Sequence, residues 1–196
     1  LDAKTPIDNL LKALSPQLLE GEGSVEVGVS TSRLSEVRDA LGYVLQYPYG
    51  CVEQTSSATM PWLALGGYND LFPEHLSREK SKAAVQAGAN RLLQMTTDDG
   101  GLAYWPGGQE SSPWGTAYGG YVLLKARDAG AAVPPDIISA MLDYLSKSLR
   151  NLETEKDPYA LTHAAMALYT LAKGGKAEPA YENLLYGKRD TLPEVA

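Results

Sequence analysis

The sequence predicts an all-α protein, and three observations carry that reading. Segments of roughly 12–19 residues repeat apolar positions at helical spacing along most of the chain. Several of these segments open on a capping residue followed by proline, as at Ser112-Pro113 and Asp157-Pro158. Only Ser24–Ser30 alternates strictly, so the strand signal is confined to one stretch. The short turns and the glycine- and aromatic-rich reversals between segments fit an α/α toroid, with helical hairpins in inner and outer rings. A full toroid needs more chain than this one has. The expectation is a partial toroid or an open stack, preceded by a short extended N-terminal segment.

Taken in order, residues Leu1–Leu19 place Ile7, Leu10, Leu11 and Leu14 at helical spacing, which suits a short helix or an ordered linker. Ser24-Val25-Glu26-Val27-Gly28-Val29-Ser30 reads as a strand that must pair with something else. Residues 1–31 are therefore expected to be a linker from a neighbouring domain, and 32–196 the helical domain. Ser32 or Ser35 caps a helix reaching about Leu45. The next begins near Cys51, with Pro61 predicting a kink. A third runs over Ser77–Met95, and Thr97-Asp98-Asp99-Gly100-Gly101 is a turn cluster. Ser112-Pro113 opens a helix that runs to Gly130. Pro134-Pro135-Asp136 opens one ending near Arg150. Asp157-Pro158 opens one that Gly174-Gly175 stops, and Pro179–Gly187 begins another.

Composition narrows the function. A net charge of −7 without a basic run argues against nucleic acid and anionic membranes. No apolar run reaches the roughly 20 residues of a membrane helix. One cysteine excludes an internal disulfide framework, and with two histidines it supplies a zinc site thinly, so no metal or cofactor is expected. The ends read as cuts from a longer polypeptide.

The stretch Tyr47-Pro48-Tyr49-Gly50-Cys51-Val52-Glu53-Gln54-Thr55 holds that single cysteine. Pro48 and Gly50 break the chain before it and an apolar run follows, so Cys51 and Gln54 fall at (i, i+3) on the start of a helix. A thiol and a side-chain amide so placed can condense, losing ammonia and leaving a γ-glutamyl thioester. The helix N-terminus favours a departing thiolate. Gly50 is expected to allow close approach and an unusual φ. Glu53 reads as a first-turn acid beside the helix dipole. Water hydrolyses thioesters, and Tyr47, Tyr49, Trp62, Tyr104 and Trp105 are the aromatic residues available as a shield; ordinary core packing is the alternative for each.

Gly50-Cys51-Val52-Glu53-Gln54 resembles the thioester signature of the α2-macroglobulin and complement family, and Tyr47-Pro48-Tyr49 with Thr55 is similar to its bacterial branch. The resemblance extends, more loosely, over Asp99–Ala126 and Asp157–Leu171. It implies a toroidal thioester domain inside a very large multidomain protease inhibitor of the periplasm or cell envelope. In that family, neighbouring domains complete the shield until a protease cleaves a bait segment. The exposed acyl group then couples once to an amine or hydroxyl of the protease. Some members relay the acyl group through a histidine, in a loop matching Asn151–Lys156 here. This loop has none, His163 falls inside the following helix, and His75 reads as structural, so direct attack by amines is expected.

Two other classes stay open on the residues. An α/α toroid also hosts carbohydrate-active enzymes, for which Asp98, Asp99 and Glu110 near Trp105 and Trp114 are candidates. A helical interaction module with an inert, buried Cys51 is the other.

Overall fold

The computed structural model describes residues 50–68 and 77–193, all within one compact unit, Glu36–Ala196. The expected strand at Ser24–Ser30, the helix ending near Leu45, the boundary at 31/32, and Tyr47, Tyr49 and His75 lie outside the described residues. Six helices follow in order: α1 Val52–Leu65, α2 Arg78–Leu93, α3 Pro113–Asp128, α4 Pro135–Ser148, α5 Pro158–Lys173 and α6 Pro179–Gly187. Short 3₁₀ turns at Leu149–Asn151 and Arg189–Thr191 follow α4 and α6. Among the described residues there is no strand, only isolated bridges pairing Thr96 with Leu102 and Ala103 with Ser111.

Local chemistry explains where these helices begin. Ser77 Oγ accepts from the Lys80 N–H, Ser112 Oγ from the Gly115 N–H, and the Asp157 carboxylate from the Tyr159 and Ala160 N–H groups. Proline occupies the first turn of α3, α4, α5 and α6, where its missing N–H costs no bond. The ends of α3 and α5 share one device. Gly130 and Gly175 adopt φ of 92° and 79°, a left-handed turn that side chains disfavour, so the Ala131 and Lys176 N–H groups can bond back to the Ala126 and Leu171 carbonyls. Pro61 stays inside α1, which continues through it to Leu65.

The helices pack as hairpins in two layers. α1, α3 and α5 lie side by side; α2, α4 and α6 each back onto the preceding member, and α2 and α4 also touch the next. This is the pairing of an α/α toroid, of which the described residues form an arc. The core between the layers is filled by Leu92, Leu102, Leu123, Met141, Leu145, Leu161 and Leu171, all fully buried.

Helix α3 is central, and its small residues let its neighbours approach. A Cβ on Gly115 would sit 2.6 Å from Val52 Cγ1, and one on Gly119 would sit 2.8 Å from Leu102 Cδ1 and 3.0 Å from Val52 Cγ2. Val52, the first residue of α1, is thus plugged into a groove that glycine opens, and it is wholly buried. On the other side of α3, the Thr170 hydroxyl of α5 donates to the Ala117 carbonyl at 2.9 Å inside the core.

Between α2 and α3 the chain folds back on itself through a hydrogen-bonded loop. Asp99 accepts from the Thr97 hydroxyl at 2.7 Å, the Ser111 hydroxyl at 2.5 Å and the Gly101 N–H at 3.2 Å. Leu102 is pinned by its N–H to Thr116 Oγ1 and by its carbonyl to the Ser112 N–H, each at 2.8 Å. The result delivers Tyr104 to the start of α1, where its carbonyl accepts the Val52 N–H at 3.0 Å.

Two predictions follow from this packing. Gly119→Leu forces a branched side chain into the space Val52 and Leu102 occupy and lowers stability by about 1–3 kcal/mol. Gly187→Ala, with open space around it, leaves stability unchanged or slightly raised; urea denaturation of the two variants separates them. For Asp99, the Ser111 and Thr97 hydroxyls hold its carboxyl below the ordinary aspartate value. The folded state is therefore the weaker proton binder, and the stabilisation is complete above about pH 3.9 and lost as the pH falls below it. Asp99→Asn costs about 1–2 kcal/mol at neutral pH, and the gap to the parent narrows in acid denaturation curves below pH 3.9.

Candidate functional site

The start of α1 carries the two residues of the signature. Cys51 is its N-cap, with extended backbone (φ −74°, ψ 169°), and Gln54 is the third helical residue. Their side chains cross. Cys51 Sγ accepts from the Gln54 backbone N–H at 3.4 Å, and the Gln54 side-chain carbonyl Oε1 accepts from the Cys51 backbone N–H at 3.3 Å. This is a capping box with sulfur where serine or threonine usually stands. It holds the thiol and the carboxamide over the same helical turn. Cys51 is a free thiol and only 2% exposed, whereas Gln54 is half-buried.

Three anchors fix this turn in place. Val52 fills the glycine groove of α3, and its N–H bonds to the Tyr104 carbonyl. From α2, the Arg91 guanidinium donates to the Gly50 carbonyl at 3.4 Å. The missing side chain of Gly50 leaves room for that guanidinium: a Cβ there would lie 2.6 Å from Arg91 Nη2. Neither Arg91 nor the role of Val52 was visible in the sequence. The glycine spacing Gly115, Gly119, Gly120 in α3 was a signal for close packing that the motif itself did not explain.

The aromatic candidates divide. The Tyr104 hydroxyl donates to Glu53 Oε2 at 3.3 Å; the Cys51 thiol first, then burial and Glu53, push the phenol above the ordinary tyrosine value. Trp105 packs edge-on against Tyr104 with ring centres 6.0 Å apart and stays 54% exposed, on the rim of the site. Trp62 is not brought to the pair. It lies roughly 15 Å further along α1, beside Arg78, Lys82 and Val85 on a cavity of about 700 Å³.

The remaining candidates are placed elsewhere. His163 lies inside α5 with its ring 5.2 Å from that of Trp114 and tilted 33° to it, a packing contact within the domain. Asp99, a candidate acid for sugar cleavage, has its Oδ1 taken by the Thr97 and Ser111 hydroxyls and the Gly101 N–H, bonds that order the loop. Among the described residues no group of His, Cys, Asp and Glu could hold a metal ion, and no helix is long and apolar enough to cross a membrane.

Comparison with known proteins places this geometry. The chain is 38% identical to α2-macroglobulin of Escherichia coli K12 over 122 residues, 58% of this chain and 7% of that protein. It is 29% identical to α2-macroglobulin of Xylella fastidiosa Temecula1 over 177 residues, 84% of this chain and 11% of that one. The crystal structure of native E. coli α2-macroglobulin from domain MG7 to the C-terminus superposes with a TM-score of 0.66 at 29% identity, covering 80% of this chain and 26% of that chain. Salmonella α2-macroglobulin reacted with methylamine gives 0.67 at 30% identity, covering 80% and 11%. The chain thus spans about a tenth of the curated relatives' length. The family model that matches residues 24–174 is the A-macroglobulin TED domain, and the chain belongs to that family.

Proposed function

We propose that this domain carries an internal thioester between Cys51 and Gln54, and that the whole protein uses it once to acylate an attacking protease. The single observation behind this reading is the crossed capping box, which sets the sulfur and the carboxamide on one turn with reciprocal hydrogen bonds. Condensation joins Sγ to the Gln54 acyl carbon and releases ammonia.

The same two hydrogen bonds suit the reverse chemistry. When an amine adds to the acyl carbon, negative charge develops on the oxygen that now accepts from the Cys51 N–H. When the C–S bond breaks, the charge moves to a sulfur facing the Gln54 N–H at a helix N-terminus. The product is an amide to the amine and a free thiol at Cys51. No histidine occupies Asn151–Lys156, so lysine amines, not hydroxyls, are the natural nucleophiles. Neighbouring domains of the same chain complete the shield over exposed Tyr104 and Trp105. The periplasm or cell envelope is the proposed location, in keeping with the bacterial relatives and the need to meet foreign proteases. Acylation consumes the bond, so the protein is a single-use inhibitor and not an enzyme.

Intact mass of the whole protein, isolated without amines, tests this directly. The expected chain is lighter by one ammonia and has no titratable thiol at position 51; methylamine adds its own mass, leaving N-methylglutamine at position 54, and frees one thiol. Cys51→Ala abolishes both changes. A chain of full mass that ignores methylamine leaves Cys51 an inert structural residue and sinks the trap.

A further inference from the structure

We infer that Arg91 is a positioning residue for the thioester: acting through the Gly50–Cys51 peptide, its charge strengthens the hydrogen bond that the acyl oxygen receives. The inference rests on the thioester chemistry proposed above and adds to it a residue from another helix. A cation in the last turn of α2 is accounted for by the helix dipole alone, but the dipole does not ask it to reach the start of α1. Arg91 does so. Its Nη2 donates to the Gly50 carbonyl at 3.4 Å. A Cβ on Gly50 would lie 2.6 Å from Nη2 and 3.3 Å from both Cζ and Nε, so the guanidinium fills the space a side chain there would need. The N–H of that same peptide belongs to Cys51, and it donates to Gln54 Oε1 at 3.3 Å. One peptide group therefore stands between a guanidinium on its carbonyl and the acyl oxygen on its N–H.

That order suits what the oxygen must do. Condensation replaces Nε2 of Gln54 with Sγ of Cys51 and releases ammonia, while Oε1 stays on the acyl carbon. In aminolysis the C–N bond forms, the C–S bond breaks with its electron pair on sulfur, and one proton passes from nitrogen to sulfur through solvent. Both reactions run through a tetrahedral intermediate with negative charge on Oε1. A trans peptide points its carbonyl and its N–H in opposite directions. A cation on the carbonyl therefore draws electron density from the nitrogen and makes the N–H a stronger donor to the charged oxygen. Arg91 is exposed, so solvent and salt screen its direct field, and the effect runs mainly through the peptide bond. Hydrogen bonds in series strengthen one another by about 10–30%, and a full oxyanion donor is worth about 100- to 1,000-fold in rate. The share expected of Arg91 is about 2- to 8-fold. Arginine suits the place because its charge does not titrate where amines react.

The test uses the whole protein as Arg91→Met, which keeps an unbranched stem without charge or donor, and as Arg91→Lys, which keeps the charge. Parent and variants are grown with glutamine isotope-labelled at the side-chain carbonyl, then weighed and thiol-titrated. The methylamine rate is taken on the fraction that holds the bond. The infrared difference before and after methylamine isolates the stretch of the acyl carbonyl. For Arg91→Met the expected result is the ammonia deficit, a rate lowered about 2- to 8-fold, and a stretch at higher frequency than the parent's. Arg91→Lys recovers part of both. A parent-like rate in Arg91→Met overturns the inference. So does a lowered rate with an unmoved stretch, which leaves Arg91 an anchor of the chain before α1 and nothing more. If Arg91→Met never forms the bond, Arg91→Lys decides: a bond there supports the role of the charge, and its absence overturns it. A parent without the deficit removes the thioester reading, and this inference with it.

Discussion

The site depends on how the first turn of α1 is seated. A helix end is ordinarily a place of fraying, where N–H groups look for partners. Here Val52 is buried in the groove left by Gly115 and Gly119, and its N–H is taken by Tyr104. That pair of restraints fixes both the position and the rotation of the turn. With Val52 held, the Cys51 and Gln54 side chains each reach the other's backbone N–H across it.

The toroidal arrangement supplies the two walls of this seat from different parts of the chain. α3 brings the groove, and the loop between α2 and α3 brings Tyr104. The loop can do so only because it is itself rigid, with Asp99 gathering Thr97, Gly101 and Ser111, and Leu102 sunk in the core. What looked like a candidate catalytic acid is therefore structural at one remove: it shapes the loop that presents the phenol. Arg91 performs a similar service from α2 by holding the Gly50 carbonyl, and the absence of a side chain at Gly50 makes room for its guanidinium.

Much of this was legible in the chain because it is encoded locally. Ser77, Ser112-Pro113, Asp157-Pro158 and Gly174-Gly175 mark helix ends by hydrogen bonding and backbone preference within a few residues, and the helices begin and stop close to those marks. The Cys51–Gln54 spacing is equally local. Trp62 and Gly50 show the limit. Whether an aromatic covers a sulfur depends on which end of a helix it occupies, and one-dimensional nearness placed Trp62 among the shields when it lies at the far end of α1. Gly50 stands beside Arg91, a residue 41 positions away whose guanidinium bonds its carbonyl, and no local pattern marks that partner. Such relations exist only once helices from distant segments pack.

The choice of atoms at the cap bears on purpose. Where another described helix has a side-chain cap the acceptor is oxygen, at Ser77, Ser112 and Asp157; α4 and α6 begin without one. Cys51 puts sulfur in that role, and sulfur is a weak acceptor. A good oxygen cap is worth about 1 kcal/mol, so serine at position 51 would complete the same box with Gln54 and hold the helix better. Stability alone gives no reason for a thiol there. What sulfur offers over oxygen is a lower pKa and easier departure from an acyl carbon, and Gln54 supplies that acyl carbon on the same turn. The proposed thioester supplies the reason that stability does not: on that reading the cap is a reactive centre that also caps.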